Sequence, residues 1–406
     1  MEDERLPGFA TLAVHAGVRA AAPPQARRVP PEDGGPAALA GAFGGLPLRA
    51  DDPAVAALEE KIAALEGGTA ALCTASGNAA LSLMFHALLR PGDEFIAARA
   101  LNDDTAAQFR DAFPRFGWAV QWADADDRQS FEKAVSPRTK AIFVESIAQN
   151  GIVADLAAAA SVARRARVPL IADNSLATPY LCRPVEHGAD LVLYTRTSYL
   201  GGVGEVSGGA IVDGGTFDWS EERRYPVLSE PLAERGNIVL CETFGNGAFA
   251  MACRALGLGG VGAEMSPAAA ERILAGIETL ALRMQRHSDN ARAVAAWLSG
   301  SDRVRWVSYP GLPGDRHHNL ARKYLPNGAG PVVSFAVESD AAAETTVARL
   351  KLASPAAAPG GARSGVRRVT ADAARRGGAG AVLRLFLGIE DRDDIVADLE
   401  DALAGI

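Results

Sequence analysis

Three short polar segments interrupt an otherwise apolar pattern and carry side chains able to do chemistry. The first, Thr74-Ala75-Ser76-Gly77-Asn78, lies where an apolar run gives way to a helical pattern. A serine hydroxyl beside unspent backbone N–H groups at a helix N-terminus makes an anion site, suited to phosphate. Ser76 as an ordinary N-cap is the plainer and commoner reading. The second, Ala172-Asp173-Asn174-Ser175, ends an apolar strand on a carboxylate. Buried aspartate is rare unless paired, so Asp173 is expected to face a cation or a protonated nitrogen, with a turn-forming Asp-Asn pair as the alternative. The third, Tyr194-Thr195-Arg196-Thr197-Ser198-Tyr199-Leu200-Gly201-Gly202, places hydroxyls and an arginine between a strand and two glycines. It suits a second wall of a phosphate pocket, or a solvated loop.

The elements around these segments alternate. Asp51 or Asp52 caps a helix, Pro53 suits its first turn, Val55, Leu58, Ile62 and Leu65 form one apolar face, and Gly67-Gly68 end it. Strands are expected at 70–74, 94–98, 118–122, 141–145, 170–172, 191–195 and 209–212, with helices at 78–89, 105–116 and 156–166 between them. Short, wholly apolar strands separated by helices imply a mostly parallel sheet buried on both faces, whose ligands bind at the carboxyl ends of the strands. After about residue 249 the pattern changes to a long helical stretch at 267–298, strands at 304–307, 332–337 and 382–387, and helices near 341–352 and from Asp391. The expected organisation is an N-terminal arm over 1–50, a large α/β domain over 51–248 and a small α+β domain over 249–406.

At 406 residues and a net charge of −8, the acidic balance argues against sequence-independent nucleic-acid binding, which needs a basic face. No apolar run reaches the ~20 residues of a membrane span, and residues 1–8 are too acidic for a signal peptide. Four scattered cysteines (Cys73, Cys182, Cys241, Cys253) without a C-x-x-C suggest reduced thiols in a cytoplasm. The histidines show no metal spacing, so no metal site is expected. A literal G-x-G-x-x-G at 257–262 follows helix-like residues rather than a strand, which removes its dinucleotide context. Ser76, His187 and Asp173 make a hydrolase triad only on paper, since no G-x-S-x-G elbow accompanies them.

The same three segments, in order and spacing, resemble the Cys/Met-metabolism family of fold-type-I pyridoxal-phosphate enzymes, its O-acetylhomoserine sulfhydrylases above all. The likeness includes AVHAG at 13–17, LEEKIAALEGG at 58–68, TASGNAA at 74–80, FVESI at 143–147 and IADNSLATPYLCRPVEHGAD at 171–190. It continues through GGAIVDGGTFDW at 208–219, ETLALRMQRH at 278–287, VRWVSYPGLP at 304–313 and RLFLGIED at 384–391. The resemblance implies a large doubly wound domain with a small C-terminal one, and a pyridoxal phosphate site. In that site Ser76, Gly77 and Asn78 hold the phosphate with Thr195 and Thr197, Arg49 serves a neighbouring subunit's phosphate, Asp173 pairs with the pyridinium nitrogen, and Arg384 clamps a substrate carboxylate.

The departures cluster in that pocket. The family's Schiff-base lysine falls on Ser198, its ring-stacking tyrosine on Asn102, its arm tyrosine on Pro47, an asparagine on Gln149 and a glycine-turn histidine on Val203. The loop at 364–380 has lost the family's Ser-Leu-x-x-His-Pro pattern. Serine forms no imine and is a poor base without an activating partner. The chain has only five lysines (Lys61, Lys133, Lys140, Lys323, Lys351), of which Lys140 or Lys351 are candidates to approach in space. Three readings follow: a non-catalytic homologue acting in a homo-oligomer or in a mixed oligomer with an active paralogue; a protein that binds the cofactor without a covalent link; or an active sulfhydrylase with a lysine from elsewhere. No residue is assigned a catalytic role. Asp173 and Arg384 have a further, bland explanation as a structural ion pair in the interdomain cleft.

Overall fold

The computed structural model describes residues 8–17, 50, 52–204, 206–220, 224–233, 236–260, 262–369 and 380–406. Arg49, Pro47 and most of the arm lie outside them. Seven strands, β1 (Ala70–Thr74), β2 (Glu94–Ala98), β3 (Ala119–Ala123), β4 (Thr139–Glu145), β5 (Leu170–Asp173), β6 (Leu191–Tyr194) and β7 (Gly209–Asp213), form one sheet in the order β1-β7-β6-β5-β4-β2-β3. The pairs from β6 to β3 are parallel, while β7 runs antiparallel to both its neighbours. Leu170, Ile171, Ala172, Leu191, Val192 and Leu193 are all buried, as strands covered by helices on both faces require. The carboxyl ends of β1, β4, β5 and β6 therefore open on one edge of the sheet.

A second, antiparallel sheet has the order β10-β11-β9-β8, from β8 (Trp306–Ser308), β9 (Val332–Val337), β10 (Gly365–Val369) and β11 (Ala381–Phe386). Its β11 carries Arg384 opposite Ser334 of β9 and Arg367 of β10.

Local sequence accounts for most element ends. The Asp52 carboxylate accepts the N–H groups of Ala54 and Val55 at 2.9 and 3.2 Å, Pro53 opens helix Pro53–Glu66, and Gly67 closes it at φ +76°. Lys61 of this helix is buried and donates to the Ala13 and Val14 carbonyls at 2.9 and 3.2 Å, so it docks helix Phe9–His15. The helix expected at 105–116 is instead an α-turn (Asp103–Ala107), a π-turn (Gln108–Ala112) and a 3₁₀-turn (Phe113–Phe116). Pro114 lacks the N–H that a continuous α-ladder needs there. The stretch at 267–298 is two helices, Pro267–Ile277 and Leu280–Ser299. Gly257 lies inside helix Ala248–Gly260, consistent with the missing strand context of its glycine motif. Among the described residues no helix is long and apolar enough to cross a membrane, no group of side chains is arranged to hold a metal, and all four cysteines are free thiols.

Candidate functional site

The first polar segment turns from β1 into helix Gly77–Leu88. Ser76 is its N-cap, with the hydroxyl accepting the Ala79 N–H at 3.2 Å. The cap and the anion site are compatible, because the N–H groups of Gly77 and Asn78 have no acceptor among the described residues. A Cβ at Gly77 would lie 1.8 Å from the Thr195 carbonyl oxygen. Only glycine permits this contact, which sets the first and third segments backbone against backbone.

Asp173 ends β5 and is 3% exposed. Its Oδ1 accepts from the Ser175 amide at 2.8 Å and the Ser175 hydroxyl at 2.5 Å, and its Oδ2 accepts from the Thr195 hydroxyl at 2.5 Å. Thr195, expected to hold phosphate, thus spends its hydroxyl on the carboxylate. Thr197 is the opposite case: its Oγ1 is buried without a partner among the described residues. Burial raises the Asp173 pKa against these hydrogen bonds. Asp173 and Arg384 are not an ion pair: Arg384 points Nη1 toward Gln149 Oε1 at 3.5 Å and leaves Nε unpartnered, while burial lowers its pKa.

Two residues of the site were not assigned roles from the sequence. Glu145, at the end of β4, is the sheet neighbour of Asp173. Its carboxyl is buried, accepts the Asn102 N–H at 2.6 Å, and has its pKa raised well above the usual range, first by burial and then by the charge of Asp173. Arg196 extends from the third segment to Asn102 Oδ1 at 3.0 Å and Asp104 Oδ2 at 2.7 Å. Asn102, where the resemblance would place an aromatic ring, caps the next helix through Asp104 N–H at 3.1 Å. Glu145 and Arg196 pair with residues distant in sequence, so only the fold reveals them.

Ser198 is buried, and its Oγ faces the backbone of Gly360: a Cβ on Gly360 would fall 2.6 Å from it. The expectation that Lys140 or Lys351 approaches this point is overturned. Lys140 lies at the amino end of β4 and donates to the Arg224 carbonyl at 3.1 Å, whereas Lys351 reaches Asp401 at 3.3 Å. Lys61 is spent on Ala13 and Val14, Lys323 lies 3.4 Å from Asp155, and Lys133 is exposed on helix Arg128–Ala134. His187 packs edge-on against Tyr324 and does not line the cleft, so the paper triad is not assembled.

Asn102, Glu145, Gln149, Asp173, Thr195 and Arg196 surround a cleft with about 20 Å³ open to water centres. That is little more than the roughly 10–15 Å³ one water needs, and far below the ~300 Å³ of an ordinary ligand pocket. Anion-ready amides, the orphaned Thr197 hydroxyl and the Asp173 carboxylate fit parts of a pyridoxal phosphate. Ser76, Gly77, Asn78 and Thr197 do not line this space, so the narrowness is that of the Asp173 end of the site, which has no room for the cofactor's ring. Among the described residues no amine is present to anchor it.

Comparison with known proteins agrees with the fold. Residues 47–404 match the Cys/Met metabolism PLP-dependent enzyme family. Homocysteine synthase of Schizosaccharomyces pombe is 39% identical over 365 residues, covering 87% of this chain and 85% of that protein. O-acetyl-L-homoserine sulfhydrylase of Leptospira meyeri is 36% identical, covering 90% and 87%. An O-acetylhomoserine (thiol)-lyase structure from Campylobacter jejuni, containing N'-pyridoxyl-lysine-5'-monophosphate, superposes with a TM-score of 0.88 at 27% identity, covering 98% of this chain and 99% of that one. The O-acetylhomoserine sulfhydrylase structure of Wolinella succinogenes gives a TM-score of 0.78 at 26% identity, covering 98% and 100%. A doubly wound sheet with its polar strand ends gathered at one edge, a small antiparallel sheet beside it, and matches along nearly the whole length make this chain a member of the Cys/Met metabolism PLP-dependent enzyme family.

Proposed function

We propose that this chain is a non-catalytic homologue of the O-acetylhomoserine sulfhydrylases, working in the cytoplasm as a subunit of an oligomer with itself or with an active relative. The observation that carries the reading is the absence of an amine at the site. All five lysines of the sequence are among the described residues, and none lines the cleft. Ser198 stands where the resemblance puts the imine-forming lysine, and a serine hydroxyl cannot make that bond. Asp173, Ser175 and Thr195 hold one another through hydrogen bonds, so their persistence needs no ligand to explain it. When bound to a family member, pyridoxal phosphate supplies an electron sink.

The test is to give the purified chain O-acetylhomoserine, sulfide and pyridoxal phosphate and to follow homocysteine formation. Product at the no-protein rate is expected, and protein-dependent turnover would sink the reading. A second reading, non-covalent cofactor binding, draws on the open Gly77 and Asn78 amides and the orphaned Thr197 hydroxyl. On that reading Asp173→Ala abolishes cofactor retention, and unchanged retention counts against it.

A further inference from the structure

The chemistry of the strand-end cleft and its lack of space need a common explanation. Two buried carboxyls, Glu145 and Asp173, lie side by side at its floor. Two carboxyls this close need either a shared proton or a facing cation. Among the described residues Arg196 is the cation that lines the same cleft. Its side chain is 28% exposed, and it leaves the sheet between the hydroxyl residues Thr195 and Thr197. Nη2 reaches Asn102 Oδ1 and Asp104 Oδ2 at 3.0 and 2.7 Å. Asn102 in turn donates its N–H to Glu145 at 2.6 Å. The result is a continuous polar bar from the end of β6 across to helix Asp103–Ala107, then back to the floor through Glu145.

We propose that Arg196 is a built-in occupant of the cofactor cleft, a guanidinium held across it by Asn102 and Asp104 that obstructs pyridoxal phosphate. The proposal rests on the family reading, because that reading identifies this cleft as the cofactor's. Loss of the lysine and gain of the bar are then separate barriers. Restoring an amine at 198 leaves the cleft closed, and removing the bar leaves it without a covalent anchor. Burial raises the pKa values of both carboxyls, and the charge of Arg196 opposes that rise as a smaller effect. The two ends of the bar are unequal. Asn102 is 8% exposed, whereas the Asp104 side chain is 75% exposed. Cutting the outer contact therefore loosens the bar without entering the pocket.

The experiment is equilibrium ultrafiltration with pyridoxal phosphate on the full chain, its Arg196→Ala variant and its Asp104→Ala variant. Retained cofactor is followed by circular dichroism of its own absorption band, which a randomly attached adduct does not reproduce. The unmodified chain is expected to retain none at this site. Arg196→Ala should bind at least about tenfold more tightly, because an apparent Kd scales inversely with the fraction of molecules whose cleft is open. Asp104→Ala should gain a smaller factor, and it decides the matter if Arg196→Ala does not fold. Borohydride reduction followed by peptide mass should fix cofactor at position 198 in the Ser198→Lys/Arg196→Ala double variant but not in Ser198→Lys alone. Equal or weaker binding by Arg196→Ala overturns the proposal, since Arg196 would then be neutral or itself a ligand for the anion. Tight binding by the unmodified chain, or a stoichiometric adduct in Ser198→Lys alone, overturns it as well. None of these results depends on turnover, so the proposed function can fail or stand independently.

Discussion

Replacing Glu145 with glutamine should stabilise the protein, and the gain should depend on pH in a defined way. Glu145 is buried beside Asp173, and its pKa is raised well above the ordinary value by burial and by that neighbouring charge. In the unfolded chain a glutamate titrates near ~4.3. Between that pH and its folded pKa, the folded protein holds a proton that the unfolded one has released. Native stability therefore falls as pH rises through the window, by about 1.4 kcal/mol per unit. Glutamine keeps an acceptor for the Asn102 N–H and has no proton to lose. The gain in unfolding free energy at pH 7 should be positive and no larger than about 3.7 kcal/mol, the cost of holding an ordinary carboxyl protonated at that pH. It should vanish as pH falls to about 4. Urea denaturation of both proteins at several pH values between 4 and 7, read by tryptophan fluorescence, measures the difference directly. A Glu145→Gln protein no more stable than its parent at pH 7, or more stable by the same amount at every pH, would refute the reasoning.

Further outcomes follow from buried contacts elsewhere. Arg254 and Glu59 form a buried pair at 2.5 Å, with Glu59 also accepting the Cys73 N–H at 3.0 Å. Arg254→Met should cost about 3–5 kcal/mol in urea melts by stranding the carboxylate, and adding Glu59→Gln should recover part of the loss. At Gly77 even alanine puts a carbon 1.8 Å from the Thr195 carbonyl. Gly77→Ala should lower thermal stability by at least the about 1–3 kcal/mol of an overpacked core, and an unchanged melting temperature would mean the two segments are not in contact.

What the sequence revealed was mostly what short-range chemistry decides. Asp52, Pro53 and Gly67 bound their helix because capping acts within one turn. The apolar runs of β5 and β6 announced a buried parallel sheet because nothing but burial suits them. Signals set by distant neighbours were not legible. The helical stretch at 267–298 breaks after Ile277, and Gly276 nearby packs so closely that a Cβ would lie 1.8 Å from the Gly201 carbonyl. Strand β10, with Arg367 and Arg368 both exposed, reads as a polar loop until its pairing with β11 is known. The site divides in the same way. Ser76, Asp173, Thr195 and Thr197 stand out in the sequence because each lies at or next to the end of an element. The Glu145–Asp173 pairing joins adjacent strands, and the Arg196–Asn102 bond spans 94 positions of chain, so neither leaves a local trace.

The antiparallel insertion of β7 between β1 and β6 also sets a timetable for synthesis. β1 is the first strand to leave the ribosome, yet its sheet partner is β7, which follows about 135 residues later. At roughly 5–20 residues per second the apolar segment Ala-Ala-Leu-Cys-Thr waits on the order of ten seconds with its backbone groups unpaired. β2 and β3, by contrast, can pair with one another as soon as both are made. The nascent chain is therefore expected to carry an exposed sticky edge until two-thirds of the strand-forming sequence has emerged, and to need a chaperone's cover over that interval.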